Sequence, residues 1–167
     1  MTFFRAHSKT RNISDGEEIM AAASTVIPNS AESSSTGNRV VVVLGRLLFA
    51  TIFLTSGPLH FTKRVIGYAA SQGVPLASIA VPVSGLLALA GALSILLGYR
   101  AKIGAWLIVL FLLPVTFMMH RFWTVVDPIM AQVQLTMFMK NISMLGAALL
   151  ISQFGAGPLS LDARRSR

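Results

Sequence analysis

The sequence predicts an all-α membrane protein in which four antiparallel transmembrane helices form a bundle. The first reason is composition, because 54% of the 167 residues are hydrophobic and only 12% are charged. Soluble domains typically carry about 25% charged residues. The second reason is a series of long apolar runs, each long enough to cross a bilayer as a helix. The mean hydropathy of +0.69 agrees with this class of protein.

The clearest of these runs is the third, Ile103–Met119, which contains no charged residue. As a helix it is roughly 26 Å long, close to the hydrocarbon thickness of a bilayer. Arg100 and Lys102 precede it, and the run His120–Trp123 follows it with two aromatic residues. Cations and aromatic residues are typical of the head-group layers. We therefore predict a transmembrane span here.

The N-terminal residues 1–38 are polar and Ser-rich, with mixed charge and no apolar period. This composition predicts a disordered tail. The four-helix transmembrane domain then occupies residues 39–162, and residues 163–167 form a short basic C-terminal tail.

The first span is predicted at about Val40 to Leu59 and contains Arg46. An intramembrane arginine costs at least about 2.5 kcal/mol, so it faces the bundle interior or extends to the surface. Both a surface anchor and a ligand-binding role therefore stay open for Arg46. Helical spacing places the following residues on the same face of this span: Ala50, Phe53, Gly57 and His60.

The middle of the chain predicts a short interfacial helix, Thr62–Ser71, and a second span, Leu76–Leu97. The turn Gly98–Lys102 is so short that the second and third spans form an antiparallel hairpin. In the second span, small residues at helical spacing favour close helix packing. These small residues are Ser84, Gly85, Ala88, Gly91 and Ala92.

The fourth span begins at Ile129 or Val133 and ends at Phe154. It has one polar or small face, and Lys140 interrupts its apolar sequence next to Asn141. The residues on that face are Gln134, Asn141, Ala148 and Ser152.

Lysine and arginine counts predict that both termini are cytoplasmic, since short cytoplasmic segments carry an excess of these residues. Six lie near the membrane on the side of the termini and three lie on the other side. The six are Arg39, Arg100, Lys102, Arg164, Arg165 and Arg167, and the three are Lys63, Arg64 and Arg121.

Several cationic and polar residues are expected to meet near the outer end of the bundle, where carboxylates are scarce. Asp127 is the only carboxylate between Gly37 and Leu161. Such a pocket suits an anion or a polarised carbonyl, for example a sulfur oxyanion or a quinone head group. Phe122, Trp123 and Phe138 are positioned to flank a ring. The candidate ligand-binding residues are Arg46, His60, Lys63, His120, Arg121, Lys140 and Asn141.

The alternative interpretation of these residues is that they are interfacial anchors for lipid phosphates. Two histidines also suggest a bis-histidine haem site, and nearby methionines suggest a copper(I) site. Histidines at helix ends and the role of methionine as a core filler disfavour both, so we predict no metal and no covalently bound cofactor. The chain has no cysteine, and no nucleophile–base set or phosphate loop is evident. A self-contained enzyme is therefore not predicted. A nucleic-acid partner is not predicted either, because the basic residues bracket apolar spans instead of clustering on one soluble face.

Seven short motifs follow one another in a fixed order: Leu44–Arg46, Ser56–Pro58, Gly98–Lys102, Pro114–Thr116, Met119–Trp123, Phe138–Asn141 and Gly155–Asp162. Together they resemble the motifs of the DoxX family of small integral membrane proteins. The resemblance implies an inner-membrane four-helix bundle that is an accessory subunit of a quinone- or sulfur-linked redox system, with a membrane-associated oxidoreductase as partner. A quinone is then the cofactor candidate. Two alternatives are a small homo-oligomeric anion carrier or channel and a non-catalytic scaffold.

Overall fold

The computed structural model describes residues 30–165, with side chains from residue 37, and every regular element in this part of the chain is helical. Residues 1–29 of the predicted N-terminal tail lie outside the described residues, so disorder there stays a prediction, whereas residues 30–38 of that tail belong to the first helix. The elements in order are α1 (Ser30–Ser56), a 3-10 segment (Gly57–Phe61), α2 (Lys63–Ser71), α3 (Ala77–Leu97), α4 (Ala101–Met119), a second 3-10 segment (Phe122–Thr124), α5 (Pro128–Phe154) and α6 (Leu161–Arg165).

Four helical segments are long and apolar enough to cross a membrane. This observation confirms the predicted all-α membrane class with four spans. The short helix α2 lies between the first two spans, where the sequence predicted an interfacial helix. The four segments are Gly37–Phe61, Ala77–Leu97, Ala101–Thr124 and Pro128–Phe154.

The interior of the bundle is built from small residues and a few large apolar ones. Phe53 of α1 meets Phe111 of α4 edge to face, with ring centroids 6.0 Å apart. The predicted inward face of α1 is confirmed, since Arg46, Ala50 and Phe53 are all buried. The buried apolar residues of this core are Ala50, Phe53, Ala88, Ala92, Ile95, Ala105, Ile108, Val109, Phe111, Leu112 and Ala148.

Glycines allow α3 and α4 to pack so closely that their backbones are in contact. A Cβ added to Gly91 would lie 2.8 Å from the carbonyl oxygen of Gly104, and one added to Gly104 would lie 2.9 Å from that of Gly91. No side chain fits at either position without moving a helix. The small-residue pattern in α3 is therefore a packing feature, as its sequence predicted.

The C-terminal segment folds back onto the turn between α3 and α4. The Asp162 carboxylate accepts hydrogen bonds from the backbone N–H groups of Arg100 (2.8 Å) and Ala101 (3.1 Å). The Asp162 N–H in turn donates to the Gly98 carbonyl oxygen at 2.9 Å. Gly98 adopts the left-handed conformation with φ of +64°, and a Cβ there would collide with the buried Ser160. The segment thus caps the first turn of α4.

Candidate functional site

Four of the predicted ligand-binding residues line one cavity of about 190 Å³. They come from three different elements, since His60 lies in the first 3-10 segment, His120 ends α4, and Lys140 and Asn141 lie on α5. We call this space the polar cavity. Its remaining lining residues are Ile52, Phe53, Ser56, Phe111, Leu112, Val115 and Met144.

The local fold fixes the orientation of the His60 ring. Its Nδ1 lies 3.1 Å from the carbonyl oxygen of Ser56, and its ring meets Phe111 edge to face at 5.6 Å. A carbonyl oxygen only accepts hydrogen bonds, so Nδ1 is the nitrogen that carries the hydrogen. Gly85 packs against His60 from the other side. A Cβ added to Gly85 would lie only 2.7 Å from the Cβ of His60, so the close contact requires glycine. The free ring nitrogen is therefore Nε2.

His120 is held in the same way by a residue of α5. Its Nδ1 lies 2.9 Å from Oε1 of Gln134, so in this amide orientation Nδ1 donates and Nε2 stays free. No hydrogen bond to Nε2 of His60 or His120 occurs among residues 37–165. The two histidines thus each keep one ring nitrogen without a partner, and both residues line the polar cavity.

Asn141 is buried without a hydrogen-bond partner for its side chain among residues 37–165. Only 4% of its surface is exposed, and it lines the polar cavity. In the described part of the chain, the fully buried side-chain atoms without a partner are Nε and Nη1 of Arg46 and Nε of Arg121, so the amide atoms of Asn141 reach the surface of the cavity. The amide of Asn141 is therefore available to a ligand that enters the cavity.

Lys140 is the one exposed residue in the lining of the polar cavity. Its Nζ contacts the Sδ of Met137 at 3.4 Å, and a thioether is a weak acceptor. No aspartate or glutamate occurs in any of the four described spans. The ammonium group thus lies at the mouth of the cavity with no carboxylate from these spans to neutralise it.

A second cavity of about 340 Å³ adjoins the first and is almost entirely apolar. We call it the apolar cavity. Three residues, His60, Val115 and His120, line both cavities and so form the boundary between them. The other lining residues of the apolar cavity are Val65, Tyr68, Ala69, Val74, Pro75, Ala80, Val81, Ser84, Pro114, Met118 and Met119.

Three predicted site residues line neither cavity. Arg46 is buried beside the turn at Gly98, where its Nη2 donates to the carbonyl oxygen of Leu159 at 2.9 Å. Arg121 donates through Nη2 to the carbonyl oxygen of Gln72 at 2.8 Å, and Lys63 is exposed at the start of α2. Arg46 therefore contacts the C-terminal segment, far along α1 from His60.

The aromatic residues expected to flank a ring contact one another instead. Phe138 meets Phe122 at 5.5 Å, Trp123 at 6.0 Å and Phe117 at 5.5 Å between ring centroids. None of these four residues lines the polar or the apolar cavity. They form an aromatic cluster at the same end of the bundle as His120.

Some residues of the site were not predicted from the sequence. Gln134 lines neither cavity but bonds to His120. It was assigned to the polar face of the fourth span, seven residues before Asn141, and that spacing was the available indication of its role. Ser56, Phe111 and Val115 carried no such indication, because an apolar or hydroxyl residue in a span looks the same whether it faces a cavity or a neighbouring helix. Among the described residues, no group of three or more His, Cys, Asp or Glu side chains is placed to hold a metal ion.

Comparison with known proteins identifies the family. The sequence model of the SURF4 family matches residues 13–167, which is most of the chain. The chain belongs to the SURF4 family.

Two curated relatives from Escherichia coli (strain K12) support an inner-membrane location for this SURF4-family protein. Inner membrane protein YphA is 28% identical over 130 residues, which cover 75% of this chain and 90% of the relative. Inner membrane protein YqjF is 31% identical over 129 residues, which cover 74% of this chain and 90% of the relative. No solved structure matches the chain.

This assignment overturns the resemblance to the DoxX family, which is wrong. Several of the motif residues have structural roles in turns and caps. Gly98, Gly155 and Gly157 all have positive φ angles, and Asp162 caps α4. Turns with positive φ favour glycine in any fold, and a carboxylate can cap any helix, so these residues do not identify a family. The SURF4-family protein is an integral, multi-pass inner membrane protein.

Proposed function

We propose that this protein binds a small membrane amphiphile through its head group, and that a quinone or quinol ring is the head group that best suits the site. The observation that carries the proposal is the convergence of unpaired polar groups on the polar cavity. Asn141 is 4% exposed without a hydrogen bond, and the Nε2 atoms of His60 and His120 are free. Unpaired polar groups in a low-dielectric interior favour a ligand that pairs with them.

The chemistry of the lining supports a head group that both donates and accepts hydrogen bonds. A neutral histidine whose Nδ1 donates has an acceptor at Nε2, whereas Lys140 and the NH₂ group of Asn141 are donors. The hydroxyl groups of a quinol can donate to the histidine nitrogens, and the carbonyl groups of a quinone can accept from Lys140 and Asn141. The rings of Phe53 and Phe111 provide apolar walls for a planar ring. Both oxidation states thus find partners in the polar cavity.

The apolar cavity distinguishes an amphiphile from an inorganic anion such as thiosulfate. A small anion would use Lys140 and the polar cavity but would leave about 340 Å³ of apolar space without a role. An amphiphile uses both spaces. Both cavities share His60 and His120 and so lie at one end of the bundle, a placement that favours binding over transport through the membrane.

A quinone at this site would make the protein an accessory component of a membrane redox system, with an oxidoreductase as its partner. We also propose that both termini are cytoplasmic, on the basis of the six-to-three excess of Lys and Arg. The polar cavity then lies in the half of the bundle next to the outer leaflet.

Thermal unfolding of the purified protein in detergent tests the binding function. We expect a benzoquinone with a decyl chain, or its quinol, to raise the unfolding temperature, because a ligand that binds only the folded state stabilises it by mass action. Asn141→Leu removes the unpaired amide and should abolish the shift. Gln153→Leu, which also replaces an amide side chain of α5 with leucine but lies outside both cavities, should retain it.

If thiosulfate or sulfite raises the unfolding temperature of the wild type and no quinone does, the ligand is an anion and the amphiphile proposal is wrong. Equal quinone shifts in the wild type and in Asn141→Leu would contradict the proposed site.

A further inference from the structure

The two cavities together have the shape that a tailed ligand requires, and neither is sufficient alone. Ligand pockets commonly begin at about 300 Å³, and the polar cavity has about 190 Å³. The apolar cavity, at about 340 Å³, reaches that range but has only the two shared histidines and Ser84 as polar side chains other than the exposed Tyr68. A head group fits the first space and a hydrocarbon chain fits the second.

The boundary between the cavities is thin, and one of its members is small. His60, Val115 and His120 each line both spaces. The imidazole rings are held at Nδ1 by Ser56 and Gln134, so Val115 is the member without a hydrogen bond to hold it. Val115 is therefore the lining residue that a ligand occupying both spaces would pass.

The two cavities have different exposed residues in their linings. Lys140 is the exposed lining residue of the polar cavity, whereas Tyr68, Pro75 and Pro114 are those of the apolar cavity. The apolar cavity therefore has an exposed edge of its own, and an apolar chain in it would reach the surface of the bundle at these residues.

We propose that the ligand spans both cavities, with its head group at Asn141 and its apolar chain passing Val115 into the apolar cavity. This inference rests on the proposed binding function and specifies its ligand class as a single-chain amphiphile with a small head. The apolar cavity then determines the selectivity for the chain, and Val115 is the residue that separates chain from head.

The test compares one ring with and without a chain. Dissociation constants are measured for a decyl-substituted benzoquinone and for the same quinone ring without the chain, at one detergent concentration. Ala80→Phe fills the apolar cavity without touching the polar one, since Ala80 lines only the former. Val83→Phe adds the same ring at an exposed position of α3 outside both cavities and is the matched control.

We expect Ala80→Phe to weaken binding of the decyl compound by about tenfold or more, equivalent to about 1.4 kcal/mol, because several buried methylene groups lose their site. Binding of the chainless ring should change by less than about twofold, equivalent to about 0.4 kcal/mol. Val83→Phe should leave both constants unchanged. Val115→Ala, a milder change that widens the boundary, should increase the preference for the decyl compound.

Equal losses for both compounds in Ala80→Phe, or no loss for either, would overturn the two-cavity inference while the binding function stands. Failure of the wild type to bind either the ring or the decyl compound would remove the binding function itself, and the inference with it.

Discussion

Lys140 and Asn141 are neighbours on α5 but meet different surroundings. Asn141 is almost fully buried at the polar cavity, whereas Lys140 is exposed at its mouth and contacts only the Sδ of Met137 through Nζ. Its long side chain allows the ammonium group to reach outward along the helix, so part of its cost in the membrane is relieved. The pair thus places one donor inside the cavity and one at its entrance.

We predict that Lys140→Met stabilises the ligand-free protein by about 1 kcal/mol, a fraction of the 2.5–3.5 kcal/mol that insertion scales assign to a charge at the centre of a span. The same change should remove the stabilisation by a quinone, which for the wild type is about 2.7 kcal/mol at a concentration of about one hundred times Kd. Chemical or thermal unfolding in detergent measures both quantities.

The control is Lys63→Met, which removes an exposed lysine that lines neither cavity. It should keep the full quinone shift. A Lys140→Met protein that unfolds earlier than the wild type but keeps its quinone shift would make Lys140 a structural anchor.

At the scale of elements, two features hold the helices in place: the glycine contact between α3 and α4, and the C-terminal segment that caps α4. The first was readable from the sequence, because small residues at helical spacing indicate close packing whatever the neighbour is. The second was not. The segment Gly155–Asp162 has no apolar period, and its position depends on a carboxylate reaching Arg100 across the fold.

Gly91 and Gly146 provide a matched pair for the packing argument, since both lie inside transmembrane helices. A Cβ on Gly91 would lie 2.8 Å from a backbone oxygen, whereas one on Gly146 has nothing within 4 Å. We expect Gly91→Ala to lower the free energy of unfolding by about 1–3 kcal/mol through overpacking. Gly146→Ala should be neutral or stabilising by up to about 1 kcal/mol. Equal effects of the two substitutions would show that the close approach of α3 and α4 is not required.

Asp162→Ala tests the cap on α4. Loss of a capping carboxylate costs about 0.5–2 kcal/mol, and here the cost should be local. Hydrogen exchange should show faster exchange at the backbone N–H groups of Arg100 and Ala101, which donate to Asp162. Exchange in the middle of α4 should be unchanged. If protection at these two groups persists, another acceptor replaces the carboxylate and the segment is not the cap.

At the scale of the whole molecule, hydropathy and turn residues were sufficient to predict four spans and their approximate ends, because the bilayer fixes helix length. They were also sufficient to bring His60, His120, Lys140 and Asn141 to one end. They could not separate these residues from Arg121 and Lys63 at the same end, since the direction of each side chain depends on tertiary contacts such as that of Arg121 with Gln72. Arg46 was placed on the correct face but contacts the C-terminal segment at Leu159.

The orientation of the molecule is tested by cysteine labelling, which is simple because the chain has no cysteine. Two exposed positions are replaced by cysteine, one at a time. Ser71 is the last residue of α2, and Tyr99 lies in the turn between α3 and α4. With cytoplasmic termini, an impermeant thiol reagent added to intact cells should label Ser71→Cys only. Labelling of Tyr99→Cys alone would reverse the orientation and place the polar cavity next to the inner leaflet.

The central claim, that a membrane amphiphile occupies the polar cavity, is tested most directly by photo-crosslinking in native membranes. A decyl benzoquinone with an azide on its ring is activated by light, and the adducts are mapped by mass spectrometry. We predict adducts at cavity residues of α4 and α5, such as Val115, Asn141 and Met144. Excess unmodified decyl quinone should prevent them, and Asn141→Leu should lose them. Adducts spread over lipid-facing residues such as Leu110 and Leu150, with no effect of competitor, would contradict the claim.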